Sequence, residues 1–184
     1  AIFVEPAVGG ATAPAPSAAP VEELDAVDLR SCRVEKDQVS SGSVVADASG
    51  DELSLSFHLA EAPTSWVAVA CTMPRALATG EGLAFEGEAS RPVRLDVQLR
   101  EDGAGDHRWG RTAALSEGAR PVRVWSRALR AVARDVPAAP PSQPLTLLLV
   151  IDRTHGTAGM RGTLHVRRVR LLSGGDQVRT VSSR

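Results

Sequence analysis

The stretch "RPVRLDVQLR", residues 91–100, alternates between apolar and polar side chains from Val93 onwards. Alternation with a period of two is typical of a β-strand that has one buried face and one solvated face. The residues expected to face the core are Val93, Leu95, Val97 and Leu99. The residues expected to face water are Arg94, Asp96, Gln98 and Arg100. A slip of one residue would exchange the two faces.

Other segments carry related patterns. "LSLSFHL" (53–59) and "GLAFEGEA" (82–89) also alternate, whereas "WVAVACTM" (66–73) and "LTLLLVID" (145–152) are apolar on both faces. Strands that are apolar on both faces are expected in the middle of a sheet. In "HVRRVRLL" (165–172) the apolar positions change parity, and a β-bulge at Arg167–Arg168 would reconcile the two halves.

We count about ten such segments, separated by turn signals such as "ASGDE" and "HGTAG", with almost no helical periodicity. Many short strands with little helix predict an all-β sandwich or barrel. Residues 1–20, "AIFVEPAVGGATAPAPSAAP", lack a periodic apolar face and are expected to form an extended tail. The globular domain is expected to span residues 21–184.

The tail contains one bulky apolar cluster, Ile2, Phe3 and Val4. A free segment of this composition buries too little apolar surface to offset the entropy of ordering it. We therefore expect these three residues to anchor the tail in an apolar groove on another polypeptide.

The 184-residue chain has a net charge of −1, with −8 in residues 1–63 and +7 in the remainder. Either the two halves interleave and neutralise each other, or a basic face meets an acidic partner or a lipid surface. The Arg-rich composition does not indicate a nucleic-acid partner, because a GC-rich genome produces the same bias. No apolar run is long enough to span a membrane. A removed signal peptide is compatible with the first residues, so an extracytoplasmic location is favoured over others.

Two cysteines, Cys32 and Cys71, lie in strand-like segments and in no metal-binding spacing. The favoured interpretation is a pair of buried thiols, and the alternative is one disulfide in an oxidising compartment.

Motifs of catalysis and cofactor binding are missing from the sequence: GxSxG, HExxH, GxGxxG and the Walker loop do not occur. His58, His107, His155 and His165 are scattered and expected at the surface. We therefore expect no enzymatic activity, no cofactor and no bound metal.

The stretch "DGAGDHRWGR", residues 102–111, is best explained as a hairpin turn after which Trp109 packs into the core. Trp125 has the parity of two arginines and should be either exposed or covered by another group.

The order of these segments resembles galactose-binding-like jelly-roll domains. The resemblance is carried by "GLAFEGEASRPVRLDVQLRED", "HRWGRTAAL", "RPVRVWSRALRAV" and "LTLLLVIDRTHGTAGMRGTLHVRRVRLL", and covers about residues 45–172. The chain is most similar to family-11 type carbohydrate-binding modules and to the complex I intermediate-associated protein domain. The resemblance implies a two-sheet jelly-roll sandwich. The last strand, "VRRVRLL", lacks the acidic pair found in many members, so a structural calcium site is not expected.

Two functional hypotheses follow. The first is an accessory or assembly subunit that docks on a larger, membrane-bound bioenergetic complex; the alternative is a carbohydrate-binding module. The face expected to meet the partner or glycan consists of Glu86, Glu88, Arg94, Asp96, Gln98, Arg100 and Trp125. The same residues could instead form a salt-bridge ladder that only solubilises the sheet.

Overall fold

A computed structural model describes residues 21–102, 107–133, 135–138 and 145–174. These residues form two six-stranded antiparallel sheets, so the predicted all-β sandwich is confirmed. The strands, in chain order, are β1 (Glu22–Ala26), β2 (Arg33–Lys36), β3 (Ser41–Ala46), β4 (Glu52–His58), β5 (Trp66–Thr72), β6 (Gly82–Ala89), β7 (Val93–Glu101), β8 (Arg108–Leu115), β9 (Arg120–Trp125), β10 (Arg130–Ala131), β11 (Leu145–Asp152) and β12 (Arg161–Ser173). The tail anchor Ile2, Phe3 and Val4 lies outside the described residues, and its role stays a prediction.

The first sheet has the order β3-β4-β12-β6-β9, with β1 also paired to the long strand β12. The second sheet has the order β10-β8-β7-β11-β5-β2. Strands β5 and β11, which are apolar on both faces, lie inside the second sheet as predicted. No helix among the described residues is long and apolar enough to cross a membrane.

The core lies between the two sheets and is built from the inward residues that alternation predicted. Val93, Leu95, Val97 and Leu99 of β7 are all buried. They meet inward residues of β4, β6 and β12 in one continuous cluster. The register of residues 91–100 is therefore the predicted one, but Gln98, which was expected to face water, is buried on the outer face of the sheet.

Strand β12 contains the predicted bulge. Its pairing with β6 shifts between Arg167 and Arg170, and Arg168 has a φ of 51°. The extra residue brings Val166 and Val169, which have opposite parity, to the same buried side.

The two cysteines form a disulfide, Cys32–Cys71, between the residue that precedes β2 and the end of β5. The favoured interpretation of two free thiols was wrong, and the disulfide alternative is confirmed. Sequence spacing could not decide between them, because the two residues become neighbours only when β2 pairs with β5.

Trp109 is fully buried on β8, as predicted. Its indole Nε1–H donates to the carbonyl oxygen of Pro137 at 2.6 Å, which satisfies the one polar atom of the side chain. Strands β7 and β8 pair as an antiparallel hairpin. The tip of that hairpin, residues 103–106, lies outside the described residues.

Candidate functional site

The face proposed from the sequence is divided between the two sheets. Glu86 and Glu88 lie on β6 in the first sheet, whereas Arg94, Asp96, Gln98 and Arg100 lie on β7 in the second. The expectation that they sit side by side was wrong. Alternation determines which side chains point outward, but it does not determine which strands are neighbours, and the chain crosses from one sheet to the other between β6 and β7.

Glu86 and Glu88 face the arginines of β12. Arg168 forms an ion pair with Glu86, and Arg167 Nη1 lies 3.9 Å from the carboxylate of Glu88. Glu86 and Glu88 thus form cross-strand ion pairs with β12, and not the ladder with the β7 residues that was considered as an alternative.

Trp125 lies at the edge of the first sheet and is half-buried. Its ring covers the backbone of Gly82, because a Cβ built on Gly82 would lie 2.7 Å from Trp125 Cε3. Trp125 therefore packs on a neighbouring strand, on a different sheet from the β7 residues.

The outer face of the second sheet carries a groove with a volume of about 330 Å³. The groove is lined by residues of strands β5, β7, β8 and β11 and of the segments 63–65 and 152–154. The lining side chains that could contact a ligand are Trp66, Gln98, Arg108, Val150, Asp152 and Arg153.

The outer face of this sheet has an apolar floor. Ala68 and Ala70 of β5 and Leu148 and Val150 of β11 point away from the core, yet each is at most 5% exposed. They form a second apolar cluster, against which Trp66 packs. A solvated sheet face would carry polar residues at these positions, so this floor is an unusual feature for an outer face.

An ion pair crosses the same face beside the groove. Arg100 donates from Nη1 and Nη2 to the carboxylate of Glu35 at 2.6 and 2.9 Å. Arg100 is on β7 and Glu35 on β2, so the pair spans the two strands between them, β5 and β11. Hydrogen bonding to Arg100 lowers the pKa of Glu35 from its usual value.

Buried polar atoms without a hydrogen-bond partner are concentrated here. Among the described residues they are Gln98 Oε1, Arg153 Nε, Arg153 Nη1 and His155 Nδ1. Gln98 and Arg153 line the groove, and His155 lies beside the groove residue Asp152. Each such group costs about 1–3 kcal/mol relative to a satisfied one. Buried polar groups ordinarily bond to protein, water or a ligand, so the groove is a place where a ligand could supply hydrogen-bond partners.

Three possible metal ligands meet at the end of β11. One side-chain donor atom each from Asp96, Asp152 and His155 lies within 4.8 Å of the others. The sequence analysis expected no metal site and placed His155 at the surface, but its side chain is only 20% exposed. Asp96 lies on β7, Asp152 ends β11 and His155 follows β11, so no local spacing could have indicated the cluster.

Sequence analysis also missed Trp66, Arg108, Asp152 and Arg153. A usable signal was present in β5, whose outward residues are one aromatic followed by two small ones, Trp66, Ala68 and Ala70. Small residues beside an aromatic ring leave a depression on a sheet surface. Because both faces of β5 are apolar, the sequence indicated a central strand but did not reveal that the outward face combines one large side chain with two small ones.

Comparisons with known proteins support the fold. No family model matches the sequence, and no curated protein matches it. A solved structure of the family 11 carbohydrate-binding module of cellulase Lic26A-Cel5E from Clostridium thermocellum is similar, with a TM-score of 0.59 and 12% identity over 86% of this chain and 96% of that one.

A second structure of a Clostridium thermocellum family 11 module, in complex with a β-1,3-1,4-mixed-linked tetrasaccharide, gives a TM-score of 0.59 and 12% identity over 87% of this chain and 98% of that one. A structure of carbohydrate-binding modules from the β-sandwich superfamily gives 0.54 and 9% identity over 79% and 58%. The fold is thus a two-sheet jelly-roll sandwich like that of these modules, as the resemblance implied.

The accessory-subunit hypothesis is corrected by this result. The solved structures described above that share the fold are carbohydrate-binding modules, and one of them contains a bound oligosaccharide. These findings favour the alternative hypothesis, and the resemblance to the complex I intermediate-associated domain gains no support from them.

Proposed function

We propose that this chain is a non-catalytic carbohydrate-binding module that holds a glycan in the groove of the second sheet. The observation that carries the proposal is the group of unsatisfied buried polar atoms in and beside the groove that Trp66 and Val150 line. The fold shared with carbohydrate-binding modules supports it.

The groove offers both kinds of contact that a sugar needs. A pyranose ring has an apolar C–H face, which packs on an aromatic ring such as that of Trp66. Its hydroxyl groups both donate and accept hydrogen bonds. Gln98 can do both, Asp152 accepts, and Arg153 donates. A few polar groups placed around an apolar surface are typical of ligand sites.

The number of carboxylates that line the groove fits a module that binds a glycan without cleaving it. Glycoside hydrolysis ordinarily uses two carboxylates on opposite sides of the scissile bond. Among the described residues that line the groove, Asp152 is the only carboxylate. The disulfide Cys32–Cys71 supports an extracytoplasmic location, where disulfides persist and where glycans are accessible.

Affinity measurements on the full chain test the proposal. We would titrate soluble polysaccharides, beginning with mixed-linkage β-1,3-1,4-glucan, by isothermal titration calorimetry. Trp66→Ala should weaken binding by more than about tenfold, equivalent to about 1.4 kcal/mol. Trp125→Ala is the matched control, because it removes the same side chain from the other sheet and should leave the affinity unchanged.

Two results would contradict the proposal. One is no binding across neutral and acidic polysaccharides. The other is an equal loss of affinity in the two tryptophan variants, with each shown by circular dichroism to be folded.

A further inference from the structure

The cluster of Asp96, Asp152 and His155 has an arrangement that ordinary hydrogen bonding leaves unexplained. His155 Nδ1 lies 3.4 Å from Asp96 Oδ2 and 3.6 Å from Asp152 Oδ1. The atom is buried and makes no hydrogen bond. A buried imidazole nitrogen between two carboxylates would ordinarily make a hydrogen bond with one of them at about 2.7–3.2 Å.

The carboxylates are held in place by other contacts. Asp96 Oδ1 accepts a hydrogen bond from the Thr112 hydroxyl at 2.6 Å, which leaves Oδ2 directed to His155. Asp152 Oδ1 accepts from the backbone N–H groups of Thr154 and His155 at 2.9 and 3.2 Å. These bonds hold Asp96 within β7 and Asp152 at the end of β11, next to the turn that carries His155. Outer contacts of this kind orient the ligands in metal sites.

Two of the three separations match those between the ligands of a tetrahedral metal ion, and the third is within 4.8 Å. Zinc binds nitrogen and oxygen at about 2.0–2.2 Å, so tetrahedral ligands are separated by about 3.3–3.6 Å. The two separations from His155 Nδ1, 3.4 and 3.6 Å, need almost no adjustment to reach this range.

The donor set distinguishes between metals. Calcium and magnesium prefer oxygen ligands, in sets of six or more, and rarely accept imidazole. One imidazole with two carboxylates suits zinc and similar divalent transition metals. Three protein ligands leave a fourth tetrahedral position for water or an external ligand.

The geometry points to a zinc-binding site formed by Asp96 Oδ2, an oxygen of Asp152 and His155 Nδ1. The ion would supply the partner that His155 Nδ1 lacks and would neutralise the two carboxylates. The zinc site shares Asp152 with the groove but does not need a bound glycan, so titration with Zn²⁺ alone tests it separately from the glycan-binding proposal.

Metal titration of the full chain tests the inference. The protein is prepared without a polyhistidine tag, stripped with EDTA and titrated with Zn²⁺ by calorimetry. We expect one Zn²⁺ per chain, and a weaker response to Ca²⁺ and Mg²⁺. Substitution by Co²⁺ should give the visible absorption of tetrahedral cobalt.

His155→Leu and Asp96→Asn should each lower the Zn²⁺ affinity by more than about tenfold, because losing a direct ligand costs at least as much as losing an outer contact. Asp96→Asn keeps the contact with Thr112, so it provides the test if the histidine variant fails to fold. His165→Leu, on β12 of the other sheet, is the matched control and should bind Zn²⁺ like the parent chain.

Zn²⁺ binding unchanged in both cluster variants would overturn the inference, as would a parent chain that binds no transition metal. In the latter case the three residues form an ion-pair cluster only.

Discussion

At the scale of single residues, Asp37 shows how a turn positions the groove. Its carboxylate accepts hydrogen bonds from the backbone N–H groups of Val39 and Ser40, each at 2.7 Å, and from that of Trp66 at 2.6 Å. It also accepts from the Ser40 hydroxyl at 2.7 Å. The last residue before the β2–β3 turn thereby fixes the start of β5 and the aromatic ring of the groove.

These contacts also govern the ionisation of Asp37. Burial opposes the charged form, but the hydrogen bonds from Ser40, Trp66 and Val39 outweigh burial and hold the pKa of the carboxyl well below its usual value. Because the folded pKa is lower than the unfolded one, the ionised carboxylate stabilises the folded chain. That stabilisation is complete above the unfolded pKa, near 3.8, and is lost as the pH falls from there through the folded pKa.

Asp37→Asn should therefore destabilise the chain by about 1–3 kcal/mol near neutral pH, because the amide accepts fewer hydrogen bonds. The difference from the parent chain should shrink below about pH 4. Urea unfolding at a series of pH values measures both effects. A difference that stays constant down to pH 2 would show that Asp37 acts without its charge.

At the scale of elements, the bulge in β12 allows one long strand to pair with two sets of neighbouring strands. Arg168 adopts a positive φ and donates its backbone N–H to the carbonyl oxygen of Asp51 at 2.7 Å. The bulge lets the first half of β12 pair with β4 and β6 and lets its second half pair with β6 and β1, while its apolar side chains stay in the core.

A β-branched residue tolerates this backbone conformation poorly. Arg168→Val should destabilise the chain by about 1–2 kcal/mol more than Arg167→Val, which removes the same charge from a neighbouring position. Thermal and urea unfolding of the two variants provide the comparison. Equal stabilities would mean that the bulge moves readily along the strand. Arg168→Gly should recover most of the lost stability, because glycine adopts positive φ freely.

Strands β12 and β7 show which features of the fold could be predicted from the sequence. The change of parity in "HVRRVRLL" located the bulge, and alternation assigned the faces of β7, because both patterns are local. The placement of β6 and β7 in different sheets was not predictable in this way, since strand neighbours are set by packing between distant segments. The groove depends on four strands and was missed for the same reason.

At the scale of the whole molecule, the acidic and basic halves of the chain interleave, as the favoured interpretation of the charge pattern held. Acidic residues from the first 63 positions pair with arginines from the remainder: Asp25 with Arg75, Glu35 with Arg100, Glu52 with Arg167, and Asp51 with Arg170. Pairing within the fold thus accounts for part of the unequal distribution of charge along the sequence.

The whole sandwich presents two unlike outer faces. The first sheet carries a ladder of paired charges, in which Arg167 and Arg168 meet the glutamates of β6. The second carries the Arg100–Glu35 ion pair, an apolar cluster, one aromatic ring and polar atoms that lack partners. Our central claim is that a glycan binds to the second face and not to the first.

The chain contains three tryptophans, and they report on this claim separately. Trp66 lines the groove, Trp109 is in the core, and Trp125 is on the first sheet. Their indole N–H groups give three signals in a ¹H–¹⁵N correlation spectrum, which can be assigned by single substitution. When an oligosaccharide that the chain binds is titrated in, we predict that the Trp66 signal shifts progressively while the Trp109 and Trp125 signals stay nearly constant. A shift of Trp125 with Trp66 unmoved would place the ligand on the first sheet and contradict the central claim.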